Sequence, residues 1–177
     1  IEVELVFDDK ELDLNTREAD IGIWMRRPKK LNYIHRKLTD LKYHMYGSNK
    51  YLEKHGYPKT VNDLNKHKFI SYGKGAPSPV FNPDWALKLG MKDNKKRKTV
   101  MKVNSVYGLL LAVQSGVGLA ALPDYLTLKQ PNIVKVLPKI EGPITEAHFV
   151  YPQSLKNEAR LKAFRNFIYS KISEWEF

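Results

Sequence analysis

Apolar and polar residues alternate from Glu2 to Phe7 and the run stops at Asp8-Asp9, which predicts a strand and a turn. Leu12 and Leu14 fall in a short turn or helix. The apolar run Ala19–Met25, closed by Arg26-Arg27-Pro28, predicts a buried strand followed by a loop. Tyr33 to Tyr46 holds two further strand-like stretches, broken near Thr39-Asp40. From Ser48 to His55 the period lengthens to that of a helix: Ser48 caps it, Tyr51 and Leu52 face inward, and Gly56 stops it. Thr60-Val61-Asn62-Asp63-Leu64 starts another short helix, with an acid three residues after a Thr cap. Phe69–Tyr72 is a brief strand, and Gly73–Pro83 is a loop rich in Gly, Pro and Ser. Lys95-Lys96-Arg97-Lys98 precedes a strand over Thr99–Val103. Asn104-Ser105 then cap a helix whose apolar positions Val106, Leu109, Leu110 and Val113 repeat at helical spacing, and Gly116 ends it. Val117–Leu122 is a short buried strand and Pro123-Asp124 opens a turn of helix. Ile133–Leu137 and Ala147–Tyr151 are strands. Ser154–Ile172 is a long amphipathic helix with Leu161, Phe164, Phe167 and Ile168 on one face.

Strands alternate with helices throughout, so the fold class is α/β. The 177 residues are enough for one domain, or one domain divided into two lobes, and 42% hydrophobic content excludes wholesale disorder. No apolar run approaches the ~18 residues of a membrane span, and the chain opens on strand-like Ile1–Leu5 rather than on a charged-then-apolar leader. There is no cysteine, hence no disulfide framework, no thiol nucleophile and no Cys-based zinc site. Redox chemistry therefore gives no compartment, and the cytoplasm is the default expectation. The net charge is +11, but residues 1–20 carry eight acids against Lys10 and Arg17. The basic remainder invites a nucleic-acid reading. The scatter of lysines along the whole chain fits a solvated, lysine-rich surface better.

The five histidines are well separated and none forms a His-x-x-x-His pair, so neither a metal nor a cofactor is expected. Gly116-Val117-Gly118-Leu119-Ala120-Ala121 matches the letters of a dinucleotide fingerprint in the wrong context. A pyrophosphate needs a strand before the glycines and a helix after them, and the order here is reversed. No nucleophile is paired with a base, so no catalytic residue is assigned and no enzyme activity is expected.

Two features suit a small molecule. Asn104-Ser105 lies directly after a strand at a helix N-terminus, where exposed N–H groups and the dipole favour an anion or carbonyl; an ordinary cap explains the same letters. Trp24-Met25-Arg26-Arg27 ends the Ala19–Met25 strand, and ligands of open α/β sheets sit beyond strand carboxyl ends. Trp24 could supply an aromatic wall and Arg26 or Arg27 a bidentate carboxylate partner. A core Trp beside surface arginines is the plainer alternative.

Several stretches together resemble the effector-binding domain of LysR-type transcriptional regulators. They are Glu18-Ala19-Asp20-Ile21-Gly22-Ile23; Lys37-Leu38-Thr39-Asp40-Leu41 through Ser48-x-x-Tyr51-Leu52-x-x-x-Gly56-x-Pro58; Asp63-Leu64-x-x-His67; Asn104-Ser105; Gly116-Val117-Gly118-Leu119-Ala120-Ala121-Leu122-Pro123; Val150-Tyr151-Pro152; and Arg160-x-x-x-Phe164-x-x-Phe167-Ile168. They occur in the family's order along nearly the whole chain. The family's N-terminal winged helix-turn-helix has no counterpart in these residues, so the resemblance implies the C-terminal effector-binding part.

What the resemblance implies is a type II periplasmic-binding-protein-like fold: two α/β lobes joined by crossing strands, with an effector in the interlobe cleft. The first crossing is expected near Tyr43–Gly47 and the return near Leu137–Pro143. Lobe I is then 1–45 plus 138–177, incomplete at its N-terminus, and lobe II is 46–137. Effector contacts are expected from Trp24, Met25 and Arg26 of lobe I. Asn104 and Ser105 of lobe II would join them, helped by Tyr72 and Phe81. The implied partners are a small metabolite, anionic or neutral, and further copies of the chain: a dimer through lobe I, a tetramer in the full-length protein. DNA would be contacted only through the N-terminal domain. The rival reading is a solute-binding protein of a transport system, which the same fold could serve.

Overall fold

The computed structural model describes residues 1–8, 11–29, 32–73, 82–93 and 95–174. The chain divides into two compact units, one of Ile1–Asp40 with Thr145–Phe177 and one of Leu41–Ile144.

The first unit is organised by a three-stranded sheet. β1 (Gly22–Trp24) runs antiparallel to β8 (Thr145–Pro152), with Gly22 opposite Val150, Ile23 opposite Phe149 and Trp24 opposite His148. β2 (Tyr33–Leu41) flanks β8 on its other side. Successive side chains of a strand point to opposite faces, and β8 sorts the core accordingly. Phe149 and Tyr151 pack with Ile21, Ile34 and Leu38 against Leu161, Phe164 and Ile168 of α4 (Ala159–Ser173). Val150 packs on the other face with Leu14, Tyr33, Ala19 and Trp24.

The second unit has β3 (Tyr43–Ser48) at the centre of a β6-β3-β7 sheet, antiparallel to both β6 (Ala120–Pro123) and β7 (Ile133–Val136). Residues 41–45 and 138–144 pack in this unit: Tyr43 pairs with Pro123, and the Gly142 N–H donates to the Tyr43 carbonyl at 2.7 Å. A parallel pair, β4 (Phe69–Tyr72) and β5 (Thr99–Val103), lies beside it, linked by a bridge from Phe69 to Leu119. α1 (Asn49–His55) is capped by Ser48 Oγ and ends at Gly56, whose φ is +86°. Thr60 and Asp63 exchange side-chain and backbone hydrogen bonds at the start of a 3-10 turn over Asn62–Lys66, as the Thr-to-acid spacing predicts. α3 (Val106–Gln114) buries Leu109, Leu110, Ala112 and Val113. Met45, Leu52, Leu64, Phe69 and Leu119 centre one apolar cluster, and Tyr46, Ile70, Leu110, Val113 and Leu122 a second.

Arg97, from the basic run 95–98, is buried and forks into this unit. Its Nε donates to Asn65 Oδ1 at 2.9 Å and its other nitrogens to the carbonyls of Leu89 (2.7 Å), Ala86 and Val61 (3.4 Å each), with the guanidinium 5.7 Å from the Phe69 ring centre. It holds α2 (Trp85–Lys88), a four-residue helix too short to leave a period in the sequence.

Four expectations are corrected. Residues 1–8 form no strand: Ile1 and Phe7 are 79% and 93% exposed, and no described strand pairs with the segment, so its alternation has no ladder to join. The strand expected over Ala19–Met25 shrinks to Gly22–Trp24, because β1 is an edge strand bonded, among the described residues, only to β8, and Ile23 stays 46% exposed. The C-terminal helix starts at Ala159 after a 3-10 turn at Gln153–Leu155. On it Phe167 is exposed, lying roughly a quarter turn from the centre of the Leu161–Phe164–Ile168 stripe.

The Gly116–Gly118 corner is a strand entry, as the order helix-then-strand requires. Gly116 has φ +78°, and a Cβ on Gly118 would lie 2.6 Å from the Lys68 carbonyl, the same oxygen that accepts the Leu119 N–H at 2.8 Å. Gly118→Ala must push these backbones apart. It is expected to cost about 1–3 kcal/mol, seen as a lower urea midpoint with an unchanged slope; a shift within error of wild type would show that the corner relaxes freely.

Candidate functional site

In the second unit the expected polar contacts are assembled by two strand ends and one helix start. β4 delivers Tyr72, β5 delivers Asn104, and Ser105 is the N-cap of α3. The Tyr72 hydroxyl donates to the Asn104 carbonyl at 2.9 Å, and the Gly73 N–H donates to the Val103 carbonyl at 2.9 Å, which fixes the two strand ends side by side. Ser105 Oγ accepts from the Gly108 N–H at 3.3 Å, so the hydroxyl serves the helix, while Asn104 and Ser105 both remain exposed. Beside them is a small pocket whose walls include Tyr43, Ser71, Tyr72, Trp85, Val106 and Leu109. None of its lining residues is charged, so it offers aromatic and aliphatic contact and a few hydroxyls.

In the first unit Trp24 is half-buried. Its ring meets Tyr33 edge-on with centroids 5.4 Å apart, and the Tyr33 hydroxyl donates to Asp13 at 2.7 Å. Trp24 is thus tied into the core as well as bordering the loop. Met25 is half-buried. Arg26 is exposed and forms an ion pair with Glu11, so its guanidinium already has a carboxylate. Arg27 donates instead to the imidazole of His35 at 3.3 Å. The structure therefore joins Tyr72, Asn104 and Ser105 in one unit and Trp24, Met25 and Arg26 in the other. Phe81 lies outside the described residues.

Sequence reasoning missed a buried ionic network in the second unit. Asp124, in the turn after β6, lies 2.8 Å from His44 Nδ1, 2.8 Å from the donating Tyr46 hydroxyl and 3.1 Å from Lys135 Nζ. His44, Tyr46 and Asp124 are all buried. Burial alone would raise the Asp124 carboxyl, but hydrogen bonds from His44, Tyr46 and Lys135 outweigh it and hold the group below the ordinary aspartate value. Burial, first, and the neighbouring carboxylate push the Tyr46 hydroxyl well above the ordinary tyrosine value. The available signal was polar His44 and Tyr46 two residues apart in one strand: same-face polar groups in a core need partners. Among the described residues no group of three or more His, Asp or Glu is arranged to hold a metal ion. No described helix is long and apolar enough to cross a membrane.

A family model described as "LysR substrate binding domain" matches residues 1–172. The chain belongs to the LysR substrate-binding domain family. An "uncharacterized HTH-type transcriptional regulator" of Haemophilus influenzae is 27% identical over 156 residues, 86% of this chain and 53% of that protein. The regulatory domain of CrgA, a LysR-type transcriptional regulator from Neisseria meningitidis, superposes with a TM-score of 0.77 at 21% identity, covering 91% of this chain and 79% of that one. The effector domain of AmpR of Pseudomonas aeruginosa does so with a TM-score of 0.67 at 15% identity, covering 93% and 78%. The fold is the type II periplasmic-binding-protein-like fold of LysR regulatory domains. This LysR domain spans about half the length of the curated relatives it matches. Its family is one of transcriptional regulators, not of enzymes, and the transport-protein reading is not favoured.

The Asp124 network gives a pH-dependent expectation. A carboxyl held below its unfolded value stabilises the fold above that value, about 3.9, and the contribution is lost as pH falls through the lower folded value. Asp124→Asn should therefore cost about 3 kcal/mol at pH 7, with the gap to wild type closing below about pH 4. Lys135→Met, at a partly exposed position, should cost at most about 1 kcal/mol. Urea melts between pH 3 and 7 measure both; a gap that does not change with pH would remove the carboxylate from the account.

Proposed function

We propose that this LysR domain is the effector-sensing part of a DNA-binding transcriptional regulator of the cytoplasm, and that it carries out no catalysis of its own. The observation that supports this most directly is the family match over residues 1–172. The regulator relatives, about twice as long, leave room for a DNA-binding part that this sequence does not cover. A small metabolite is the proposed effector. Trp24, Met25 and Arg26 of the first unit and Tyr72, Phe81, Asn104 and Ser105 of the second are its proposed contacts.

The uncharged pocket beside Tyr72 and Val106 favours an effector with an apolar body, and the start of α3 is the natural place for its polar end. An effector can act only through unequal affinity for two conformations. In this reading that difference passes to DNA through an oligomer, a dimer formed by the first unit and a tetramer of the whole regulator. The exposed Ile1, Leu5 and Phe7 are surface such a contact would cover.

A metabolite panel scored by thermal shift tests the reading. A true effector at about a hundred times its Kd stabilises the domain by about 2.7 kcal/mol. Tyr72→Ala and Ser105→Ala should each weaken binding of that compound by roughly tenfold in calorimetry, about 1.4 kcal/mol. Since Ser105→Ala also costs about 1 kcal/mol of helix cap, the comparison is made well below its melting temperature. Unchanged affinity in both variants would remove the pocket assignment.

A further inference from the structure

On one face of the first unit's sheet, side chains of three segments converge. Trp24 of β1 lies opposite His148 of β8, and the rings of His148 and His35 of β2 meet edge-on, centroids 5.3 Å apart. Arg27, in the loop after β1, places its Nε 3.3 Å from His35 Nε2. A guanidinium can only donate, so Nε2 must hold a lone pair, which makes His35 the neutral Nδ1–H tautomer. His148 is buried, and its Nε2 lies 3.1 Å from Glu146 Oε2. A carboxylate only accepts, so this nitrogen donates. His148 Nδ1 is buried with no partner among the described residues.

We propose that Arg27 and His35 form a protonation-sensitive latch that ties the loop Met25–Lys29 to β2 at neutral pH and releases it on acidification. A proton on His35 Nε2 turns the acceptor into a donor facing a donor, and sets an imidazolium against a guanidinium. Among the described residues, the groups that face His35 supply no compensation. From the loop there is Arg27, and from β8 there is His148. Glu146 of β8 is engaged by His148 and by Lys37 Nζ at 3.2 Å, and Lys37 also pairs with Asp40. α4 packs on the opposite face, with Phe149 and Ile34. Burial, then Arg27, then His148 all lower the His35 pKa. The latch therefore stabilises the loop fully above the ordinary histidine value near 6.5 and is lost as pH falls through and below it. Trp24, Met25 and Arg26 begin this loop or border it, so the geometry of that arm becomes a function of pH whether or not an effector is bound.

Amide hydrogen exchange on the 177-residue chain at pH 7.5 and 5.5, corrected for intrinsic rates, tests the latch. The open population at Met25, Arg26, Arg27 and Lys29 should rise about fivefold or more at the lower pH, the size expected for one lost hydrogen bond. His35→Gln keeps an acceptor for Arg27 that does not titrate, so its loop should open equally at both values. In a second readout, the His35 ring proton should titrate below the ordinary histidine midpoint and move upward in Arg27→Gln. Equal opening of the wild-type loop at both pH values, a pH response that survives in His35→Gln, or a His35 midpoint unmoved by Arg27→Gln would each overturn the proposal.

Discussion

Strand β3 has hydrogen-bonded neighbours on both edges and no exposed side chain at any of its six positions. A strand in that position tolerates a polar group only if its hydrogen bonds are fully met inside the protein. β3 carries four polar side chains, and the bonds of three of them organise this unit. His44 and Tyr46 converge on Asp124, and Ser48 caps α1. The carboxylate gathers donors from β3 and β7 onto the turn that follows β6, so one buried charge staples all three strands of the sheet. Tyr43, at the start of the same strand, is a wall of the pocket, which ties the candidate site to the central strand of the second unit.

What the sequence made legible was whatever local spacing controls. The caps at Ser48, Thr60 and Ser105 and the stops at Gly56 and Gly116 need only neighbours a few residues away, and they stand where the letters put them. What depends on distant partners was not legible. Among the described residues, the alternation of Glu2–Phe7 carries a strand's pattern without a strand's neighbour, and β1 keeps three residues because only β8 pairs with it. α2 owes its position to Arg97 and to packing rather than to any period of its own.

The candidate site divides along the same line. Asn104 and Ser105 read correctly as a helix start, and Tyr72 is bonded to that start across β4 and β5. The first-unit residues read less well, because charge in sequence does not say which charge is already neutralised. Arg26, the expected carboxylate partner, is taken by Glu11, whereas Arg27 is held by a neutral imidazole. Asp124 reads in the sequence only as a helix-opening acid, since its three donors come from positions 78, 80 and 11 residues away.

Lys95-Lys96-Arg97-Lys98 is the densest cationic run in the chain and, on paper, its best handle for a polyanion. In the folded domain Arg97 is turned inward and its fork is filled by uncharged oxygens, while Lys96 is matched by Asp84. Half of the tetrad is therefore committed to the protein's own interior and surface. A phosphate backbone arriving there would meet a much thinner electrostatic welcome than the letters advertise, and the stretch is better understood as a rivet between a helix and a strand than as a landing strip.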